Sequence, residues 1–142
     1  NAMASGENVA KEAKAARREK MSPAEARKAA KAHHDNAANT IKQNLYDNMD
    51  TRFGVMNIER FAGTRFAVQS LNRAKMQIAG DPAAAAKSYQ IAATQLRTAA
   101  LRANGRRDRE SFKSAIKATE KAAGAALRAA GRLRPRSRKK AS

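Results

Sequence analysis

The chain has 142 residues, with 30 Lys and Arg against 12 Asp and Glu, for a formal net charge of +18. It contains no cysteine, which excludes disulfide scaffolds, thiolate-ligated zinc and thiol catalysis. No run reaches the ~18 apolar residues of a membrane span and no charged-then-apolar leader occurs. The chain therefore reads as cytoplasmic, with nucleoid, ribonucleoprotein or virion association open. Of the 42% apolar residues, 35 are alanine, so few side chains are large enough to fill a core. Length and composition together predict one small domain with basic ends.

Asn1 and Ala2, ahead of Met3, read as the remnant of a cleaved expression tag. From Ala4 to Lys20 the composition is mainly Ala, Lys, Arg and Glu, with Val9 the only large aliphatic. That favours helix but gives no face to bury, so residues 1–21 are expected as tag remnant and frayed helical or disordered basic arm. Ser22-Pro23-Ala24-Glu25 is a specific start signal: Ser accepts a free amide, Pro fits the first turn, and Glu reaches back to the cap. The helix is expected to pass Lys31, His33 and Asn36 and end near Asn48, with Ala38, Ile41, Leu45 and Met49 as its apolar stripe. Asp50-Thr51-Arg52-Phe53-Gly54 breaks that pattern and predicts a turn.

A second helix fits residues 57–79, with Phe61, Ala67, Val68, Leu71, Ala74 and Ile78 on one broad face and Gly80 at its end. Asp81-Pro82 restarts helix, and Tyr89, Ala92, Leu96, Ala99 and Ala103 line one side until Asn104-Gly105. So short an interval between the two allows only an antiparallel hairpin. Asp108 is the expected cap of a last helix, whose stripe is Phe112, Ile116, Thr119, Ala123, Leu127 and Ala130, with Gly131 as its stop. No strand-like alternation occurs. The expected fold is all-α, a bundle of about four helices with antiparallel hairpins over residues 22–131, followed by a disordered basic tail, residues 132–142. Alanine at so many stripe positions lets helix axes approach closely.

The charge is polarised: residues 1–71 carry +4 and residues 72–142 carry +14. Between His33 and Glu59 the balance reverses, with Lys42 and Arg52 opposed by Asp35, Asp47, Asp50 and Glu59. From Lys121 onward there is no acid. Three features of the basic half can act together. Arg106, Arg107 and Arg109 stand at the start of the last helix. Lys113, Lys117 and Lys121 recur every four residues along it, with Arg128 beyond. Arg132, Arg134, Arg136, Arg138, Lys139 and Lys140 form the tail, which Gly131 and Pro135 keep from continuing the helix. A basic ridge with an extension suits a phosphate backbone, because cations displace condensed counterions and Arg adds forked hydrogen bonds. The bland alternative is a solvated face, which is what most charged helix faces are.

Other constellations fare worse. His33-His34-Asp35 places imidazoles beside a carboxylate, but neighbours on a helix point about 100° apart and need a further ligand elsewhere, so solvent-exposed histidines are the default. Asp47 and Asp50 lie one turn apart, and near a turn such residues usually serve the backbone. No P-loop, glycine fingerprint, serine elbow or HExxH occurs. No catalytic, metal or cofactor set is expected, and the protein reads as non-enzymatic. Phe61, Tyr89 and Phe112 fall on apolar stripes, whereas Phe53 and Phe66, each beside an arginine, have no place there. Phe53-Gly54-Val55-Met56 is a candidate apolar docking patch, and residues 38–78 are the expected region for a protein partner or self-association. The last two helices also allow a helix-turn-helix, although Arg109, Glu110 and Lys113 supply only part of a base-reading set.

Ile78-Ala79-Gly80-Asp81, the alanine run after it, Tyr89, Leu96 and Ala99-Ala100 resemble the helical hairpin of the twentieth protein of the bacterial small ribosomal subunit. That family binds ribosomal RNA as a three-helix bundle. The resemblance covers about 30 of the 142 residues and implies a hairpin able to bind structured RNA. It does not extend upstream, where the family has a basic helix and this chain is net acidic from His33 to Glu59.

The expected function is thus nucleic-acid binding, to DNA or structured RNA, through phosphate contacts in a packaging, architectural or ribonucleoprotein role. The alternative is a basic adaptor or inhibitor docked on an acidic protein such as a nuclease or virion component. Membrane-surface binding is disfavoured by the small apolar payload opposite the lysines.

Overall fold

The computed structural model describes residues 2–18, 21–46, 55–103 and 105–131. Among them every regular element is helical: α1 (Ala2–Arg18), α2 (Pro23–Thr40) continued by a π-helical turn (Ile41–Tyr46), α3 (Val55–Gln77), α4 (Pro82–Ala100) and α5 (Arg106–Ala129). The all-α class is therefore correct, with one more helix than expected. Met49, Phe53, Asp47, Asp50 and the tail from Arg132 lie outside the described residues, as does the side chain of Phe61.

Local chemistry sets two helix starts. Ser22 Oγ accepts from the Glu25 amide at 3.1 Å while the Ser22 amide donates to Glu25 Oε1 at 2.9 Å, a complete capping box. The bond from the Ser22 backbone, then that with its side chain, holds the Glu25 carboxyl below its ordinary range. At α4, Asp81 Oδ1 accepts from the Ala84 amide at 3.1 Å. The expectation for Asp108 is corrected. Gly105, at φ +92°, is the residue before α5, and Asp108 lies buried inside the first turn. A carboxylate there still opposes the positive end of the helix dipole.

The five helices are organised around α5, which packs against α1, α2 and α4, while α3 packs mainly against α4. Ser70 Oγ donates to Gln95 Oε1 at 2.8 Å and Ser88 Oγ to Gln77 Oε1 at 2.6 Å, two rungs that fix α3 and α4 as an antiparallel hairpin. Among the described residues, seventeen of the twenty-five buried apolar ones are alanine. The large ones are few, chiefly Tyr89, Phe112, Ile41, Leu45, Leu71 and Leu96, and they form one cluster. Alanine contributes little area per residue, ~0.8 kcal/mol per methyl-sized group, but costs no side-chain entropy and lets backbones close up.

The expected frayed arm is replaced by a docked helix. In α1, Val9 and Ala13 are buried against α5, a face too small to stand out in the sequence. It docks because α5 has no side chain at Gly124: a Cβ there would lie 2.7 Å from the Ala13 amide nitrogen and 2.8 Å from the Glu12 carbonyl carbon. Gly63 plays the same part between α3 and α4, where a Cβ would meet Ala99 Cβ at 2.9 Å.

His34 is also corrected, from exposed to buried. The buried face of α2 and its continuation is Ala26, Ala30, His34, Ala37, Ile41 and Leu45, with Ala38 only half-buried. His34 Nδ1 lies 3.1 Å from the Tyr89 hydroxyl in a buried hydrogen bond from α2 to α4. The rings meet edge to face, with centroids 5.7 Å apart. Burial, which penalises the imidazolium, lowers the His34 pKa, with Asp35 opposing and Lys75 adding to the shift. Burial raises that of the Tyr89 phenol.

Two outcomes follow from these contacts. Gly124→Ala gains about 1 kcal/mol of helix propensity but forces backbone against backbone, which costs about 1–3 kcal/mol. The net effect is a loss of stability in urea denaturation, with faster amide exchange concentrated in α1. For His34, the folded pKa lies below the unfolded 6.5, so the unfolded chain takes up the proton first. Stability is full above pH 6.5 and declines as pH falls below it. His34→Leu abolishes that part of the pH dependence and costs about 1–3 kcal/mol by leaving the Tyr89 hydroxyl unpaired, measurable by denaturation at pH 7.5 and pH 5.5.

Candidate nucleic-acid interface

The N-terminal half of α5 is its exposed half. Arg106, Arg107, Arg109, Lys113 and Lys117 are all exposed, whereas Ala122, Ala123, Gly124, Ala125 and Ala126 are buried without a break. A four-residue step on an α-helix rises about 6 Å and turns about 40° past a full circle. The row Arg109, Lys113, Lys117, Lys121 therefore winds over α5 instead of running straight along it. Arg109 and Lys113 border a groove between α5, α1 and α4, Lys121 borders a second groove against α2, and Lys117 reaches both.

The first groove, of about 540 Å³, gathers cations from three helices: Lys11 from α1, Arg97 from α4, and Arg109, Lys113 and Lys117 from α5. Two acids, Glu12 and Glu120, also line it. Glu120 is buried and already engaged, with Arg97 at 2.8 Å and Asn8 Nδ2 donating to the same oxygen at 3.4 Å. That pair ties α1, α4 and α5 together and leaves the groove with a surplus of positive charge. The floor is apolar, built from Phe112, Ile116 and Ala100, and a low-dielectric wall beneath a row of cations focuses their field outward.

The residues expected from the sequence thus separate into groups. Arg109, Lys113 and Lys117 come together at the first groove, and Arg106 and Arg107 extend the exposed band at the start of α5. Lys121 is half-buried on the other groove. Arg128 leaves the band altogether. It is half-buried in the last turn of α5, and its Nε donates to the Met21 carbonyl at 2.9 Å, just ahead of α2. Arg132, Arg134, Arg136, Arg138, Lys139 and Lys140 lie outside the described residues. Lys11 and Arg97 were not anticipated. Neither belongs to the basic run, and only the docking of α1 and α4 on α5 brings them in.

Among the described residues, no three His, Asp or Glu side chains converge as a metal site needs, and no helix is long and apolar enough to cross a membrane. Phe66 is 54% exposed on α3 and lines neither groove. No protein-family model, no curated protein and no solved structure matches this chain.

Removing the Glu120 carboxylate isolates its structural contribution. Glu120→Ala removes the acceptor shared by the Arg97 guanidinium and the Asn8 amide, and is expected to cost about 2 kcal/mol. Arg97→Ala leaves Glu120 buried without its cation and is the more damaging of the two. Paired urea titrations of both variants order them.

Proposed function

We propose that this is a non-enzymatic protein that binds nucleic acid through phosphate contacts, in a packaging, architectural or ribonucleoprotein role. The observation that carries the reading is the convergence of Lys11, Arg97, Arg109, Lys113 and Lys117 from three helices on one groove. A solvated charged face needs no such convergence, because its cations serve equally well when scattered among acids. Arg106 and Arg107 prolong the track, and the arginine-rich segment Arg132 to Lys140 supplies further cations in sequence beyond α5. The setting is cytoplasmic, with nucleoid, ribonucleoprotein or virion association.

A protein partner or second copy would use the side away from α5. There Phe66 and Met76 of α3 are 54% and 85% exposed, within the region 38–78. The bundle then has two functional sides, a cationic one around α5 and an uncovered one on α3.

Phosphate binding makes a quantitative demand. Affinity for duplex DNA or structured RNA falls linearly on a log–log salt plot, with a slope of about −0.9 per phosphate neutralised on B-DNA. Replacing Arg109, Lys113 and Lys117 together by alanine is expected to make that slope shallower by about three. These residues are exposed, so the variant keeps its fold, and relief of like-charge repulsion raises its melting temperature instead of lowering it. Affinity indifferent to salt, or a triple variant that binds as wild type, refutes the phosphate track. Retention of a protein partner in pull-downs after exhaustive nuclease treatment would favour docking on an acidic protein instead.

A further inference from the structure

The second groove differs in chemistry from the first. It runs between α2 with its π-helical continuation and α5, and encloses about 450 Å³. Asn36, Asn39, Thr40 and Gln43 form one wall, and Lys117 and Lys121 stand on the other. Among the described residues no carboxylate lines it. Asn36, Asn39 and Gln43 are exposed, and their spacing of three and four residues stacks the carboxamides along one side of the helix. The Thr40 hydroxyl is turned back onto the Asn36 carbonyl at 2.9 Å, which leaves the amides as the projecting groups.

Each carboxamide offers two donors and an acceptor in one plane. That arrangement matches the N6/N7 edge of adenine in two simultaneous bonds, and a ribose 2′-hydroxyl in donor or acceptor mode. Lysine, by contrast, holds a phosphate without telling one base from another. Here the two chemistries are adjacent, because Lys117 borders both grooves. A duplex presents its bases inside a cylinder too broad for a groove of this size. Only unpaired nucleotides can put base edges into it.

We infer that the α2–α5 groove receives the adenine edges and ribose hydroxyls of unpaired RNA, with the adjoining phosphates held by Lys117 and Lys121. The inference rests on the nucleic-acid reading above and names the polymer that the site selects. The phosphate track of the first groove supplies strength, and the amide row supplies preference.

The test is fluorescence anisotropy with the full chain from low to moderate salt, with the affinities of different probes compared at one fixed concentration. The probes are labelled oligoadenylate RNA, oligouridylate RNA, oligodeoxyadenylate and duplex DNA. The expected result is that oligoadenylate RNA binds about tenfold more tightly than oligouridylate RNA, as one good bidentate contact would give, and severalfold more tightly than oligodeoxyadenylate, which lacks the ribose hydroxyl. Asn39→Ala combined with Gln43→Ala brings both ratios close to one while duplex-DNA affinity and its salt slope stay unchanged. Both positions are exposed and alanine favours helix, so the variant keeps its fold, checked by circular dichroism. Binding with ratios near one in the wild type, or ratios that survive in the double variant, overturns this inference and leaves the phosphate track standing. No binding to any of the four probes at low salt overturns both.

Discussion

The whole arrangement depends on how thin α5 is between Ala122 and Ala126. Five consecutive residues cover more than a full turn, and all five are buried. This stretch is therefore surrounded instead of packed on one side. A helix can be surrounded that closely only if its side chains stop at Cβ or are absent. Alanine and Gly124 meet that condition, and the backbone of α1 comes within van der Waals range of Gly124. With eight large buried apolar residues among the described ones, the bundle does not rely on bulk alone to hold its helices together. It relies instead on close approach, in which many weak dispersion contacts are made between backbones.

That constraint also decides where the charge can sit. A cation cannot occupy the surrounded stretch, so apart from Arg128 in the last turn the long polar side chains of α5 lie N-terminal to it, where the helix emerges. There the four-residue repeat of Arg109, Lys113, Lys117 and Lys121 meets neighbours already fixed by the buried half. α1 and α4 flank one side of the winding row, and α2 flanks the other. Glu120 stands at the junction of the two regimes. It is buried, but it faces Arg97 and Asn8, so the spacing of α1 and α4 at the groove is set by one carboxylate with two partners. Packing at one end of α5 thus shapes the groove at the other.

What was legible in the sequence is what is local. The capping box at Ser22, the Asp81 cap with Pro82 after it, and the stripe Phe112, Ile116, Thr119, Ala123 are each decided within a few residues, and each is present. The antiparallel hairpin of α3 and α4 was readable for the same reason, from a turn too short to do otherwise. What was missed is long-range. Alanine sits as comfortably in water as in a core, so Val9 and Ala13 announce no buried face until Gly124 is known to lie opposite. His34 occupies the stripe position between Ala30 and Ala37, but its partner Tyr89 is 55 residues away, and a polar residue at a core position looks exposed until its hydrogen bond is seen. Spacing aligned Lys113, Lys117 and Lys121 as one ridge, and the structure keeps the first two with Arg109 at one groove. Spacing could not show that Lys121 has turned toward α2, that Arg128 is taken up by the Met21 carbonyl, or that Lys11 and Arg97 complete the groove.

A charge of +18 over 142 residues has a thermodynamic side as well as a recognition side. Like charges held on one winding row repel each other in the folded state more than in the extended chain, so the cationic track opposes the fold that builds it. The opposing core is mostly alanine and has little to spare. A polyanion laid along the track removes the repulsion, and because it binds the folded arrangement in preference to the extended one, it stabilises that arrangement by mass action. Simple salt acts on the same repulsion by screening, yet it also competes for the phosphates. The two roles of the row therefore respond to salt in opposite directions: the fold is strengthened while the proposed complex is weakened. Folding and the proposed binding would be coupled through the same few side chains, with Lys117, shared by both grooves, at the centre of that coupling.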